Sequence, residues 1–189
     1  MFKGNKKVES STSTGQTSTF IAPKIEVTGN FNGEGAVQIE GTLHGDITVT
    51  SVVIGEHGTV NGIINAKNVI INGELKGSVF CNSLEIMKNG KVSNEVRVQT
   101  ILISGHVDGS IESQESINID HTGTVTATTM KSKNITVEGA FTGNIIASEL
   151  LEIGSQGSVE GEITVKNIKT EEGGKLLGSM QIYEEKSKS

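Results

Sequence analysis

The sequence predicts an all-β fold, a right-handed parallel three-sided β-helix (β-solenoid) of about nine to ten turns of ~17 residues. Three observations predict it. The first is a phrase repeated nine times, Gly-x-aliphatic-x-Gly-x-apolar, as in Gly41-Thr-Leu-His-Gly45-Asp-Ile47 and Gly73-Glu-Leu-Lys-Gly77-Ser-Val79. Its leading glycines, from Gly41 to Gly174, lie 17, 15, 17, 15, 18, 16, 18 and 17 residues apart. The second is an apolar pair about eleven and thirteen positions after each leading glycine, such as Val52/Ile54, Val69/Ile71 and Ile101/Ile103. A spacing of two is strand periodicity, because alternate side chains leave a strand on one face. The third is composition: 22 Ile and 17 Val against 8 Leu, a β-branched bias that suits pleated strands, with no amphipathic helical stretch.

Each repeat therefore carries three strands, every one too short to bury a face alone. A further inward position falls eight residues after the glycine, at Val49, Ala66, Cys81 and Val98. Stacking like strands in parallel joins these residues into continuous columns. The glycines mark corners, where a Cβ would crowd the interior or demand an unfavourable backbone. Turns of 15 to 18 residues, rather than strict steps of six, favour a right-handed coil over the left-handed acyltransferase type. Nine turns at ~4.8 Å make a rod roughly 40–45 Å long.

In chain order, residues 1–20 end in a Ser/Thr-rich stretch and read as a disordered tail. Met1 and Phe2 stand beside Lys3, Lys6 and Lys7, the pattern of a weak membrane anchor. Burial of Phe2 is worth ~2 kcal/mol and each Lys near anionic lipid ~1 kcal/mol, so binding would rest on many copies acting together. The β-helix is expected over 21–183, with Pro23 at its border. The first turn, around Phe31 and Gly35, reads as about four residues shorter than the rest and is a candidate cap. Beyond it the gap from apolar pair to leading glycine alternates between four and two residues, the long version being Gly55-Glu-His-Gly58 or Met87-Lys-Asn-Gly90. The second glycine is replaced by Asn94 in one repeat and by Ala127 in another. In the latter Met130 takes the inward slot one residue late, which predicts a bulge. Residues 184–189 form a short polar tail.

Composition narrows function. A charge of −6, with both signs interspersed and no basic stripe, argues against nucleic acid. Aromatics at 3% and the lack of Trp argue against a sugar-stacking cleft. No run of 18 apolar residues and no signal peptide is seen, and a single Cys fits a reducing, cytoplasmic interior. Phosphate-cradling loops of the GxxxxGK[ST] type are missing. Cys81 falls on an inward column and reads as core filler. His44, His57, His106 and His121 read as exposed corner residues without a third metal ligand, and the carboxylates are scattered. The expectation is no catalytic, metal or cofactor site and no cofactor.

That leaves the ends of the coil. A solenoid must cap its last turns or expose strand edges and core side chains. The final turn keeps Leu176, Leu177, Met180, Ile182 and Tyr183, with no helix following to cover them. The expected polymer interface is Phe31 and Val37 at one end and Leu176, Leu177 and Met180 at the other.

Over about residues 20–183 the chain resembles the bactofilins. The resemblance rests on Val37-Gln-Ile-Glu-Gly41-Thr-Leu-His-Gly45-Asp-Ile47, on the recurring Gly-x-aliphatic-x-Gly-x-aliphatic turns, and on a tail opening with Met-Phe and lysines. It implies a right-handed three-sided β-helix that polymerises end to end, without nucleotide, into nonpolar filaments. It further implies a cytoskeletal scaffold at the inner face of the bacterial cell membrane, whose partners are itself, or a paralogue, and cell-wall or motility proteins. Leu176 and Leu177 stand where many members carry a Phe. Two other classes compete: a solenoid enzyme, either γ-carbonic-anhydrase-like or polysaccharide-active, and a monomeric β-helical adaptor. Stoichiometric zinc would point to the first, and a monomer on a sizing column to the second.

Overall fold

The computed structural model describes residues 18–183. Its eighteen strands belong to one sheet, and every pairing between them is parallel. The register winds that sheet into a coil of about 10 turns with three faces, and no helix occurs among the described residues.

Three inward columns define the faces. The first runs Thr19, Val37, Val52, Val69, Leu84, Ile101, Ile117, Ile135, Leu151, Ile168. The second runs Val27, Leu43, Val60, Leu75, Val92, Val107, Val125, Phe141, Val159, Leu176. The third runs Phe31, Ile47, Ile64, Val79, Val96, Ile111, Met130, Ile145, Ile163, Met180. A middle turn shows what drives the coil. Val92, Val96, Val98, Ile101 and Ile103 are all buried, and each such side chain contributes about 1.5–3 kcal/mol when fully removed from water. No strand could bury them alone; the neighbouring turns above and below do.

The two glycines of the repeat answer different demands. At the leading position the constraint is space: a Cβ on Gly58 would lie 2.2 Å from the Ile39 carbonyl oxygen and 2.9 Å from Ile54 Cγ2. At the second position the backbone itself is unusual, as at Gly109 with φ +147°, where a Cβ would also fall 1.9 Å from the Asn94 carbonyl oxygen. Asn94 occupies the same corner column and holds φ 100°, a conformation Asn tolerates better than most residues. Ala127 does not adopt a positive φ. The chain inserts Thr128 instead, so that Ser110 pairs with Thr129 and Ile111 with Met130. The expected bulge is present, and it replaces a glycine corner by one additional residue.

The edge between the first and second faces alternates as the spacing predicts. Long corners are closed by backbone bonds from Gly58 N to Gly55 O (2.9 Å), Gly90 N to Met87 O (2.7 Å), Gly123 N to Asp120 O (2.7 Å) and Gly157 N to Gly154 O (3.0 Å). Between them lie the short corners Asn72-Gly73, Ser104-Gly105 and Glu138-Gly139. Long and short corners also fit one another. The Glu40 carboxylate occupies the space of a Gly55 side chain, with Oε1 2.1 Å from where its Cβ would be. The Glu138 stem crowds Gly154 in the same way, with Cγ 3.0 Å from the corresponding point.

Two expectations about the amino-terminal border need correction. Ser18–Ile21 is a strand paired with Ala36–Ile39, so Ser18, Thr19 and Phe20 belong to the coil rather than to a tail. The first turn is also of ordinary length, since Ser18 pairs with Ala36, Glu26 with Thr42 and Phe31 with Ile47. Its corner, Ala22-Pro23-Lys24-Ile25, is closed by Ile25 N to Ala22 O (3.2 Å), with Lys24 at φ 66°. Pro23 is therefore part of a long corner whose leading glycine has been replaced.

Candidate functional site

The chemically capable side chains do not converge. Cys81 lies in register with Val98 on the corner between the third and first faces, half-buried, with Sγ 3.5 Å from the Ser83 carbonyl oxygen. Burial pushes its thiol pKa up to about 12, so at neutral pH it is protonated and a poor nucleophile. A shallow hollow of about 460 Å³ opens beside it, between Phe80, Asn82, Arg97 and Gln114. Arg97 is engaged there: it stacks over the Phe80 ring at 5.9 Å and pairs with Glu95 at 2.7 Å.

The histidines are spread over the surface. His44 bonds Glu26 (3.1 Å) through Nε2 and faces the Asn61 amide (3.3 Å) through Nδ1. His121 pairs with its neighbour Asp120, whose carboxyl is held below the usual carboxylate range by hydrogen bonds from the His121 ring and backbone N–H and from Ser104. His57 sits on one long corner, while His106 faces outward on the second face between Lys91 and Thr124. Among the described residues no three His, Cys, Asp or Glu side chains gather closely enough to hold a metal ion. No helix among them is long and apolar enough to cross a membrane. Met1, Phe2, Lys3, Lys6 and Lys7, the expected membrane anchor, lie outside the described residues, as does the tail 184–189.

The ends of the rod present a different picture. At the amino-terminal end the outermost segments are Ser18–Ile21, Glu26–Thr28 and Phe31–Asn32, each paired on one side within the sheet. Their core positions are partly closed: Ile21 is buried, Val27 and Phe31 are half-buried against the core, and Thr19 at the head of the first column is exposed. Val37, expected as a contact, sits one layer in, buried between Thr19 and Val52. The reason is the full first turn, which moves the end of the coil outward from where the glycine phrase begins.

At the carboxy-terminal end, Lys175–Ile182 pairs only with the strand below it. Met180 stands in the inward column above Ile163 and is 55% exposed. Ile182 continues the inward position of Val165 and is 79% exposed. Leu176 is half-buried above Val159. Leu177 pairs with Glu160 in an outward column, so its exposed side chain belongs to the rim of the end rather than to its centre. Ile182 has the better claim to a central contact. Its signal was available, since it falls eight residues after Gly174, the inward spacing seen at Val49 and Val98.

The rod thus ends in unpaired parallel strand edges, with core positions open to solvent at its carboxy-terminal turn. Searches of curated proteins and of solved structures returned no match. A family model described as "Bactofilin: Polymer-forming cytoskeletal" matches twice, over residues 19–104 and 98–181. With these matches covering nearly the whole coil, the chain belongs to the bactofilin family of polymer-forming cytoskeletal proteins.

Proposed function

We propose that this protein is a structural scaffold that assembles end to end into nonpolar filaments without nucleotide and carries out no catalytic step. The observation that carries the reading is the carboxy-terminal turn, where Met180 and Ile182 hold core positions yet face solvent beside an unpaired strand edge. A second rod would bury both and satisfy the edge. The contacts are Phe31 at one end and Leu176, Met180 and Ile182 at the other, with Leu177 at the rim and Val37 supporting Phe31's layer from beneath. The filament lies at the inner face of the cytoplasmic membrane, held by Met1, Phe2, Lys3, Lys6 and Lys7, and organises cell-shape, cell-wall or motility machinery, with a paralogue as a possible copolymer.

Negative-stain microscopy of the purified protein without nucleotide should show filaments, and small particles at every concentration would reject the reading. Deleting residues 2–7 should release the protein from anionic liposomes, and unchanged sedimentation with them would remove the membrane assignment.

A further inference from the structure

The sequence carries four Asn-Gly pairs, Asn32-Gly33, Asn61-Gly62, Asn72-Gly73 and Asn89-Gly90. In such a pair the glycine nitrogen can attack the side-chain amide carbon of the asparagine, because no Cβ blocks the approach. The attack needs the Asn side chain and the glycine peptide to swing together, so it needs backbone that can open. The four pairs look alike in the sequence. The coil separates them.

Three are clamped between layers. Asn61 ends a strand paired on both sides, with His44 and with Lys76, and its amide faces His44 Nδ1 (3.3 Å). Asn72 N donates to Ile54 O (2.8 Å), and Gly73 is buried against the carbonyls of Gly55 and Gly58. Gly90 is also buried, with its N–H held by Met87 O (2.7 Å), while the Asn89 amide donates to Glu56 Oε1 (3.4 Å). Asn32-Gly33 is different. Both residues are exposed, and no atom lies within 4 Å of the point a Gly33 Cβ would occupy. Asn32 closes the two-residue strand Phe31–Asn32, paired on one side within the sheet, and a hollow of about 170 Å³ opens beside it. Gly33 N donates to Thr48 O (3.1 Å), a bond at the open end of the coil with no layer stacked over it among the described residues.

We propose that Asn32 is a self-modifying site, which converts to isoaspartate and aspartate through a succinimide closed on Gly33. Gly33 N gives its proton to a solvent base and bonds to Asn32 Cγ. The bond from Cγ to Nδ2 breaks, and Nδ2 takes a proton from water and leaves as ammonia. Water then opens the ring at either carbonyl. Opening at Cγ leaves aspartate, and opening at the main-chain carbon leaves isoaspartate, with the chain routed through Cγ. Either product adds a negative charge beside Glu34. Isoaspartate also adds a methylene to a ladder of only two residues, Phe31 with Ile47 and Asn32 with Thr48, and so loosens the first turn. The inference is independent of the end-to-end reading.

Incubation of the full-length protein in mildly alkaline buffer, followed by peptide mapping with mass spectrometry, tests it. Asn32 should convert about tenfold faster than Asn61, Asn72 or Asn89, since the reaction proceeds through local opening. Gly33→Ala meets nothing within 4 Å, so it should leave the circular dichroism unchanged and abolish the fast conversion. Hydrogen exchange of Ser18–Asn32 should quicken in the aged protein and stay slow in aged Gly33→Ala. Equal rates at all four sites, faster conversion at another, or an unchanged rate in Gly33→Ala would overturn the site. Unchanged exchange in fully converted protein would overturn the loosening of the first turn.

Discussion

The first turns and the later ones build the same three faces by different means. As far as Lys76 no strand exceeds four residues, and the ladder breaks at each corner. From Val79 onward strands of 8 to 14 residues run through the corners beside the third face and break only at the edge between the first and second faces. Part of the difference lies in one column at the corner between the second and third faces. In the early turns side chains there replace the backbone: Asn30 Oδ1 accepts from Asp46 N (2.8 Å), and Asp46 Oδ1 accepts from Ile63 N (2.8 Å). In the later turns that column holds Glu95 and Ser110, which pair through the backbone as part of a continuous strand. A corner of this coil is thus either stitched by side chains or threaded by the ladder, and the core beneath it is unchanged.

The largest expected effect comes from a threaded corner. Gly161→Ala would place a Cβ 1.9 Å from the Gly143 carbonyl oxygen on a backbone at φ +139°, at a corner paired without a register shift to the turns below and above. A continuous ladder on both sides leaves nothing free to shift, so a loss of about 3 kcal/mol is expected in thermal unfolding. Gly45→Ala, at a stitched corner with a contact of 2.3 Å and φ +146°, should cost less because the strand is already broken there. Equal losses would break the distinction. Next in size, Asp46→Ala removes the acceptor of Ile63 N and should cost about 1 kcal/mol, measured by denaturant titration. Glu95→Ala, in the same column of a threaded corner, should fall within experimental error by that measurement.

Asn94→Gly should work in the opposite direction and stabilise by about 0.5–1 kcal/mol, because the positive φ there is better suited to glycine. The smallest effect is electrostatic. Asp120 has its folded pKa lowered by His121 and Ser104, so its contribution is present above the ordinary carboxylate pKa and is lost as pH falls through the folded value. Comparing melting temperatures of wild type and Asp120→Asn between pH 7 and pH 3 should show the wild type losing slightly more on acidification. Identical slopes would mean that the corner contact is screened away.

Most of the coil was legible because steric need and sequence coincide at the leading glycines. At each leading glycine from Gly41 to Gly174 a Cβ would strike a backbone carbonyl oxygen, and the phrase can be counted. The same rule explains the misplaced border. Ala22 and Ile25 occupy a long corner without the glycine signature, so the first full turn passes unnoticed in the sequence and Val37 looks terminal. Ala127 announced its bulge by a missing glycine. Asn94 carries an equally conspicuous replacement yet needs no bulge, since Asn reaches the required φ and Ala does not. At the end of the chain, adjacent apolar residues hid their direction. Leu176 and Leu177 look alike in the sequence, and only the register with Val159 and Glu160 separates the inward from the outward one. Exposure at Met180 and Ile182 depends on the absence of a layer above them among the described residues, which no local pattern encodes.

The alternation of long and short corners bears on how such a rod changes its length over evolutionary time. Glu40 nests against Gly55 and Glu138 against Gly154, so at these two places a short corner and the long corner above it fit as a pair. Losing or duplicating a single turn would set two long corners or two short ones against each other and strand a carboxylate without its glycine. Removing two turns should therefore be tolerated better than removing one, and the two long corners that already follow each other, Gly154–Gly157 and Glu171–Gly174, mark where the alternation stops.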